Sequence, residues 1–212
     1  MTTSAPAASP DSSSPLLAAA GLACRRGDRV LFKGLELSVR RGEVVWLRGA
    51  NGRGKTSLLR LLAGLSSPEA GEIRRGGELL YVAHANALKE DLTVLESLRF
   101  LARLHGRDVD DAALGEALRR FGMAARRHAP VRTLSQGQRR RVALSRLALA
   151  NPPAVWVLDE PFDALDVDGI AVLNDVITQH VQGGGAVVLT SHQALTLTEP
   201  RPVVLQLDEV AA

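Results

Sequence analysis

Gly49, Ala50, Asn51, Gly52, Arg53, Gly54, Lys55 and Thr56, with Ser57 following, have the spacing G-x-x-x-x-G-K-T. The chemistry open to such a run is the capture of phosphate. Glycines let backbone N–H groups turn inward around phosphate oxygens, and a helix that starts at the lysine adds the positive end of its dipole. Lys55 then neutralises β- and γ-phosphate oxygens, while the Thr56 hydroxyl is a ligand for Mg²⁺. The flanks favour this over an incidental glycine turn. An apolar run from Val44 to Leu47 precedes the loop, and Leu58, Leu59, Leu61, Leu62 and Leu65 give the segment from Lys55 to Leu65 a broad apolar helical face.

A second group of candidates lies further along the chain. The apolar run from Ala154 to Leu158 ends in Asp159 and Glu160, at the kind of strand end where open α/β sheets place ligands. Asp159 suits the Mg²⁺ shell; Glu160, one residue on, points elsewhere and can orient or deprotonate an attacking water. Two acids after a strand are by themselves an ordinary loop start, and the phosphate loop upstream gives them meaning. Leu134, Ser135, Gln136, Gly137 and Gln138 put a serine and an open glycine backbone at a helix N-terminus. Ser135 and Gln138 have capping-box spacing, which accounts for them as a plain helix start. They also form a second anion site, which with Gly137 could complete the nucleotide pocket of a partner copy, since one chain needs only one γ-phosphate site. Arg139, Arg140 and Arg141 follow; consecutive positions fan around a helix, so a solvated or intersubunit face is expected rather than a nucleic-acid strip.

The elements that must position these residues are legible as apolar runs. Leu35 to Val39, Val44 to Leu47, Leu79 to Val82, Val155 to Leu158, Ala186 to Thr190 and Val203 to Leu207 read as strands, several continuous as in sheets covered on both faces. Thr93 and Glu96 form a capping box that opens a helix toward Arg107, and Ser135 opens another toward Ala150. Strands alternating with helices predict an α/β domain with a mainly parallel sheet over residues 16–212. Residues 88–134 read as a helical insertion, and residues 1–15, rich in Ser, Pro and Ala, as a disordered tail.

Composition narrows the classes. The 212 residues are 46% apolar and 23% charged, ordinary for one large globular domain. Aromatic residues make up 3%, which nearly excludes stacking platforms for single-stranded nucleic acid. The 26 basic residues, all arginine except Lys33, Lys55 and Lys89, are almost matched by 23 acids, so charge alone argues for no polyanion partner. Cys24 is the one cysteine, which excludes an internal disulfide, a C-x-x-C-H haem-attachment motif and a cysteine-rich zinc site, and makes a reducing cytosolic location the default. No window approaches 18 uncharged apolar residues, so any membrane passage belongs to another chain. His105, His128 and His180 are isolated and read as surface or core residues.

The segment at Ser135 resembles the signature of ABC-transporter ATPases. Asp159, Glu160 and Pro161 continue into Phe162 to Asp166, which resembles that family's D-loop, and Thr190 to Gln193 stands where the family carries its switch histidine. The resemblance covers Leu16 to the end. It implies a P-loop NTPase fold: an ABC cassette with a parallel core sheet, a small antiparallel β subdomain and the helical insertion. It further implies ATP and Mg²⁺ as ligands, His192 at the γ-phosphate beside Lys55 and Glu160, an ATP-bound head-to-tail homodimer, and integral membrane permease subunits. Two positions depart from the pattern. His84 stands where the family has a Mg²⁺-ligating glutamine, with Asn86 as a possible substitute. Arg25, Arg26 and Gly27 replace the aromatic that stacks on adenine, which makes Arg26 the candidate, since a guanidinium stacks on a base face.

Cys24 to Arg29 with Leu31 and Phe32, Tyr81 to His84 leading to Leu88 and Lys89, Leu92 to Glu96, and Ser191 to Gln193 are similar to the ATP-binding subunit of the Ccm haem exporter of cytochrome c biogenesis. That likeness implies a peripheral position on the cytoplasmic face of the inner membrane and leaves open whether hydrolysis moves haem or releases a haem-loaded chaperone; the isolated histidines and the lack of a C-x-x-C-H motif predict no haem site in this chain. Two other readings keep the ATP chemistry: an ABC importer or exporter of another solute, and a soluble nucleic-acid-associated ABC ATPase. The single cassette without sustained heptads disfavours the latter.

Overall fold

The computed structural model describes residues 14–197 and 199–209; the predicted tail, except its last two positions, lies outside the described residues. Five strands form a parallel sheet: β3 (Val44–Arg48), β5 (Leu79–Val82), β6 (Val155–Leu158), β7 (Ala186–Thr190) and β8 (Val203–Gln206), in the order β5-β6-β7-β3-β8. Every residue of β6 and β7 is buried. Because side chains alternate along a strand, Val155, Val157, Ala186 and Val188 enter one core while Trp156, Leu158, Val187 and Leu189 enter another on the opposite face. This is why the runs are continuous in sequence rather than alternating.

On the first face lie helix α1 (Lys55–Leu62) and a three-stranded antiparallel sheet, in which β1 (Leu17–Arg26) pairs with both β2 (Arg29–Val39) and β4 (Ala70–Arg75). On the second lies α5 (Val167–Gln182), N-capped by the Asp166 carboxylate, which accepts from Gly169 N–H. Helices α2 (Val94–Leu104), α3 (Asp111–Arg120) and α4 (Gln136–Ser145) share a third cluster that includes Leu98, Leu114, Leu118 and Val142. Thr93 and Glu96 make the expected capping box at the start of α2.

Several ends differ from the sequence reading. Helix α1 stops at Leu62, not Leu65: Gly64 turns left-handed and donates to Leu61 O at 3.0 Å, and Arg75 donates to the carbonyls of Leu61 and Leu62, both at 2.8 Å. Leu65, expected on the apolar face, is 56% exposed. Helix α2 ends at Leu104 rather than near Arg107, α4 passes into a 3-10 turn at Arg146–Ala148, and β8 gives way at Leu207 to a 3-10 turn.

His180, which the sequence left as an isolated histidine, is buried near the end of α5 and stacks flat on Trp156, ring centroids 3.7 Å apart and planes 3° from parallel. A Cβ at Gly185 would come within 2.2 Å of its ring, so only glycine closes this corner. Burial depresses the imidazole pKa to about 4. The unfolded chain therefore binds more protons than the folded one between about pH 6.5 and pH 4, and this contribution to stability, complete above that window, declines as pH falls through it. Denaturant melts at pH 7 and pH 4.5 should show the wild type losing about 2 kcal/mol more than His180→Phe, which has nothing to protonate there. Equal losses in the two proteins would refute the neutral buried state.

Candidate active site

The loop between β3 and α1 carries the phosphate-binding sequence. Gly54, the N-cap of α1, has φ +97°, and a Cβ there would press within 3.1 Å of the Leu31 side chain, so backbone conformation and space both demand glycine. Lys55 Nζ folds over the loop and donates to Gly49 O at 2.7 Å and Ala50 O at 3.4 Å. An open cavity of about 370 Å³ faces it, lined by Gly52, Gly54, Lys55, Thr56 and Ser57 and, from the first hairpin, by Arg26, Arg29 and Leu31. Arg26 thus shares the cavity with the loop, as expected; Arg29 was not anticipated. Nor was Asp208, just beyond β8, whose carboxylate accepts from Ala50 N–H at 3.1 Å and lies 3.1 Å from Arg53 Nε. Asn51 belongs to the same loop and is exposed.

The ends of β6 and β7 bring the acids to this loop. Asp159 is buried, and its Oδ1 accepts from Thr56 Oγ1 at 3.3 Å and from Thr190 Oγ1 at 3.0 Å. The Thr190 hydroxyl oxygen also accepts from the Glu160 backbone N–H at 2.8 Å. Glu160 sits in the left-handed region, φ +46°, with its carboxylate almost wholly buried. Glu160 Oε2 accepts from His192 backbone N–H at 2.9 Å, and Oε1 lies 3.5 Å from His192 Nε2. Tyr81, at the end of β5, feels the same charge: its own burial first, then the Asp159 carboxylate, push its phenol up to about 12. It stays protonated at any physiological pH.

Hydrogen bonds therefore join Thr56, Asp159, Thr190, Glu160 and His192, with Lys55 next to Thr56 in the loop. The structure places other predicted residues elsewhere. Ser135 caps α4 in a complete capping box: its hydroxyl accepts from Gln138 N–H at 3.3 Å, and Ser135 N–H donates to Gln138 Oε1 at 3.1 Å. A Cβ at Gly137 would lie 2.7 Å from Ala164 O, so this glycine serves a close approach within its own chain. His84 is 67% exposed in its side chain and has its Nδ1 3.6 Å from Asp163 Oδ2. The arginine run is a correction: it is no solvated stripe. Arg139 pairs with Glu90 at 2.8 Å, Arg141 with Asp166, and Arg140 is 2% exposed, donating to backbone carbonyls and Asn86 Oδ1.

The profile of the ABC transporter family matches residues 32–163. The chain belongs to the ABC transporter family. It is 50% identical over 212 aligned residues to the cytochrome c biogenesis ATP-binding export protein CcmA of Aromatoleum aromaticum, covering 94% of this chain and 99% of that one. With the protein of the same name from Methylococcus capsulatus it shares 47% over 191 residues, 84% and 92% of the two chains. Among solved structures it superposes on an ABC transporter ATP-binding protein from Pyrococcus furiosus with a TM-score of 0.80 at 25% identity, over 92% and 99% of the chains. Within the family the chain is similar to the cytochrome c biogenesis ATP-binding export proteins.

Thr190, read in sequence as the end of an apolar strand and the start of the switch-histidine segment, also accepts from the Glu160 N–H, a role that pattern reading did not announce. Thr190→Val keeps its shape but leaves the Glu160 N–H without an acceptor. ATPase kcat should fall about tenfold while the protein loses about 1 to 3 kcal/mol of stability. Steady-state phosphate release and a denaturant melt measure both, and unchanged turnover would remove Thr190 from the site.

Proposed function

We propose that this chain is the ATP-hydrolysing subunit of an ABC export complex that serves c-type cytochrome biogenesis, and that the work it powers is haem export. The observation that carries the hydrolytic part is the pair formed by Glu160 and His192 directly after the Asp159–Thr56 contact. The cargo rests on the likeness to cytochrome c biogenesis export proteins.

In this reading Gly49 to Ser57 wrap the phosphates, with Lys55 Nζ leaving the loop carbonyls for the β- and γ-oxygens. Thr56 and Asp159 fit a divalent cation: a hydroxyl and a carboxylate already 3.3 Å apart are hard oxygen donors that leave the other positions to phosphate and water. Such a Mg²⁺ ion supplies charge neutralisation at the phosphates when bound. Among the described residues no group of three or more His, Cys, Asp and Glu is arranged to hold a metal. His84, facing Asp163, is assigned both to the cation's shell in place of the usual glutamine and to sensing the membrane partner.

Glu160 takes the proton of the attacking water. Its left-handed backbone and the His192 N–H fix the carboxylate, so little reorganisation is needed when the water arrives. The His192 side chain is half exposed and free to turn toward the γ-phosphate. Arg26 is assigned to the adenine face, supported by its place in the cavity beside the loop. Ser135, Gly137 and Gln138 are assigned to the partner copy's nucleotide in an ATP-bound homodimer, the cap at the start of α4 being compatible with N–H groups turned outward. Among the described residues no helix is long and apolar enough to cross a membrane. The likeness to export proteins supports integral permease subunits as the passage and a place for this chain on the cytoplasmic face of the inner membrane. No role is assigned to nucleic acid.

Glu160→Gln should keep ATP binding and lower turnover by about 10² or more, because an amide accepts no proton. ATP should then hold the protein, with its membrane partner, as a dimer on size-exclusion chromatography; a persistent monomer would refute the composite site. Deleting the chain should abolish covalently haem-bound c-type cytochromes, read by haem staining of denatured membrane proteins, while b-type cytochromes stay normal. Normal c-type cytochromes with a transport defect for another solute would overturn the cargo and leave the ATPase standing.

A further inference from the structure

Arg140 is a buried cation without a carboxylate at hydrogen-bond distance among the described residues. Its fork is instead filled by neutral oxygens from two segments that the chain keeps far apart in sequence. Nη2 donates to Asp159 O at 3.1 Å and Glu160 O at 2.7 Å, and Nε to Pro161 O at 3.3 Å. Nη1 donates to Ala83 O at 3.0 Å, His84 O at 3.3 Å and Asn86 Oδ1 at 3.1 Å. Burying a guanidinium that is matched by neutral oxygens rather than by a carboxylate costs desolvation that filling the same space with an apolar side chain would not. Something other than packing therefore asks for this residue.

The backbone of the catalytic acid supplies the reason. Glu160 is held at φ +46°, a conformation that costs an ordinary L residue roughly 1 to 3 kcal/mol. The turn swings the carbonyls of Asp159, Glu160 and Pro161 toward one point, and Arg140 occupies that point. A planar fork can reach three successive carbonyls on one side and the loop after β5 on the other; the compact ammonium of a lysine cannot. Arg140 also stands in the second turn of α4, the helix whose first turn carries Ser135, Gly137 and Gln138. One side chain thus connects the start of α4, the 83–86 loop and the strand end that aims the general base.

We propose that Arg140 is a positioning residue for hydrolysis, holding the left-handed turn at Glu160 in register with α4 and with the 83–86 loop. The proposal rests on the assignment of Glu160 as general base. Its signature is a loss of turnover without a matching loss of nucleotide affinity, since none of its contacts is to the phosphate loop.

The test uses the full chain and steady-state MgATP hydrolysis, with Arg140→Lys and Arg140→Gln as variants and Arg139→Lys as a control one position away. The expected result is that kcat falls at least about tenfold in either Arg140 variant that folds, while KM for ATP moves less than about threefold. Arg139→Lys should match the wild type. Arg140→Lys retains charge and length and so keeps the comparison available if Arg140→Gln is unstable. Introduced into Glu160→Gln, the Lys variant should lower the residual single-turnover rate by less than about twofold, because a residue acting through Glu160 has nothing left to position. Wild-type kcat in Arg140→Lys, a rise in KM with kcat intact, or a full additional loss on top of Glu160→Gln would each overturn the proposal. High residual turnover in Glu160→Gln alone would instead reject the general-base assignment itself, so the two failures are told apart.

Discussion

One oxygen atom, Asp159 Oδ1, accepts hydrogen bonds from two threonines that arrive on different elements. Thr56 comes from the first turn of α1, which follows β3; Thr190 ends β7; Asp159 itself follows β6. Because β6, β7 and β3 are neighbours in that order, this atom checks the alignment of three consecutive parallel strands. The pairing places Leu158 opposite Leu189 and Leu47 opposite Thr190, so all three chains reach the same edge together. A slip of one residue in any of them would turn a polar end residue into a core and a core residue outward. The apolar alternation that separates the two cores is thus what keeps the site in register.

The same edge shows how the fold manages buried charge. Arg140 and Arg146 lie behind the acids, with Arg146 donating to Tyr81 O at 2.9 Å. Burial lowers both guanidinium pKa values, and the nearness of Arg140 contributes for Arg146, which falls to about 10; both remain cations at neutral pH. Arg140 is coupled through space to Asp163, Asp159 and Glu160, while its hydrogen bonds go to backbone carbonyls and the Asn86 amide oxygen. Among the described residues neither guanidinium takes up an oxygen of the Asp159 and Glu160 carboxylates, which are left to Thr56, Thr190 and the His192 N–H. Direct ion pairing would have used them up.

The chemistry-bearing residues were legible because each sits at a junction that sequence marks strongly: glycines before a helix, acids after an apolar run, capping boxes. What escaped was information carried by direction. Three consecutive arginines look equivalent in sequence, and only the orientation of α4 decides that Arg140 points inward while Arg139 and Arg141 find surface acids. Thr190 closes an apolar strand and looks like an ordinary strand residue until β6 is placed beside it. Asp208 lies far from the phosphate loop along the chain and meets it only because β8 pairs with β3. Helix ends were overrun by a few residues where capping came from a distant side chain, as at Arg75, which no local pattern announces.

The left-handed turn at Glu160 also bears on how such a chain can drift. Selection for folding alone would install glycine there, since glycine adopts φ +46° freely and nothing in the local packing asks for a long acidic side chain. The chain instead carries a residue poorly suited to its own backbone and surrounds it with restraints on three sides: a threonine hydroxyl, a histidine N–H and a guanidinium. Loosening any one restraint weakens the others' hold on the same dihedral. Substitutions at these neighbouring positions are therefore coupled in their effect, and a variant that no longer hydrolyses ATP has a stabilising exit open to it at residue 160.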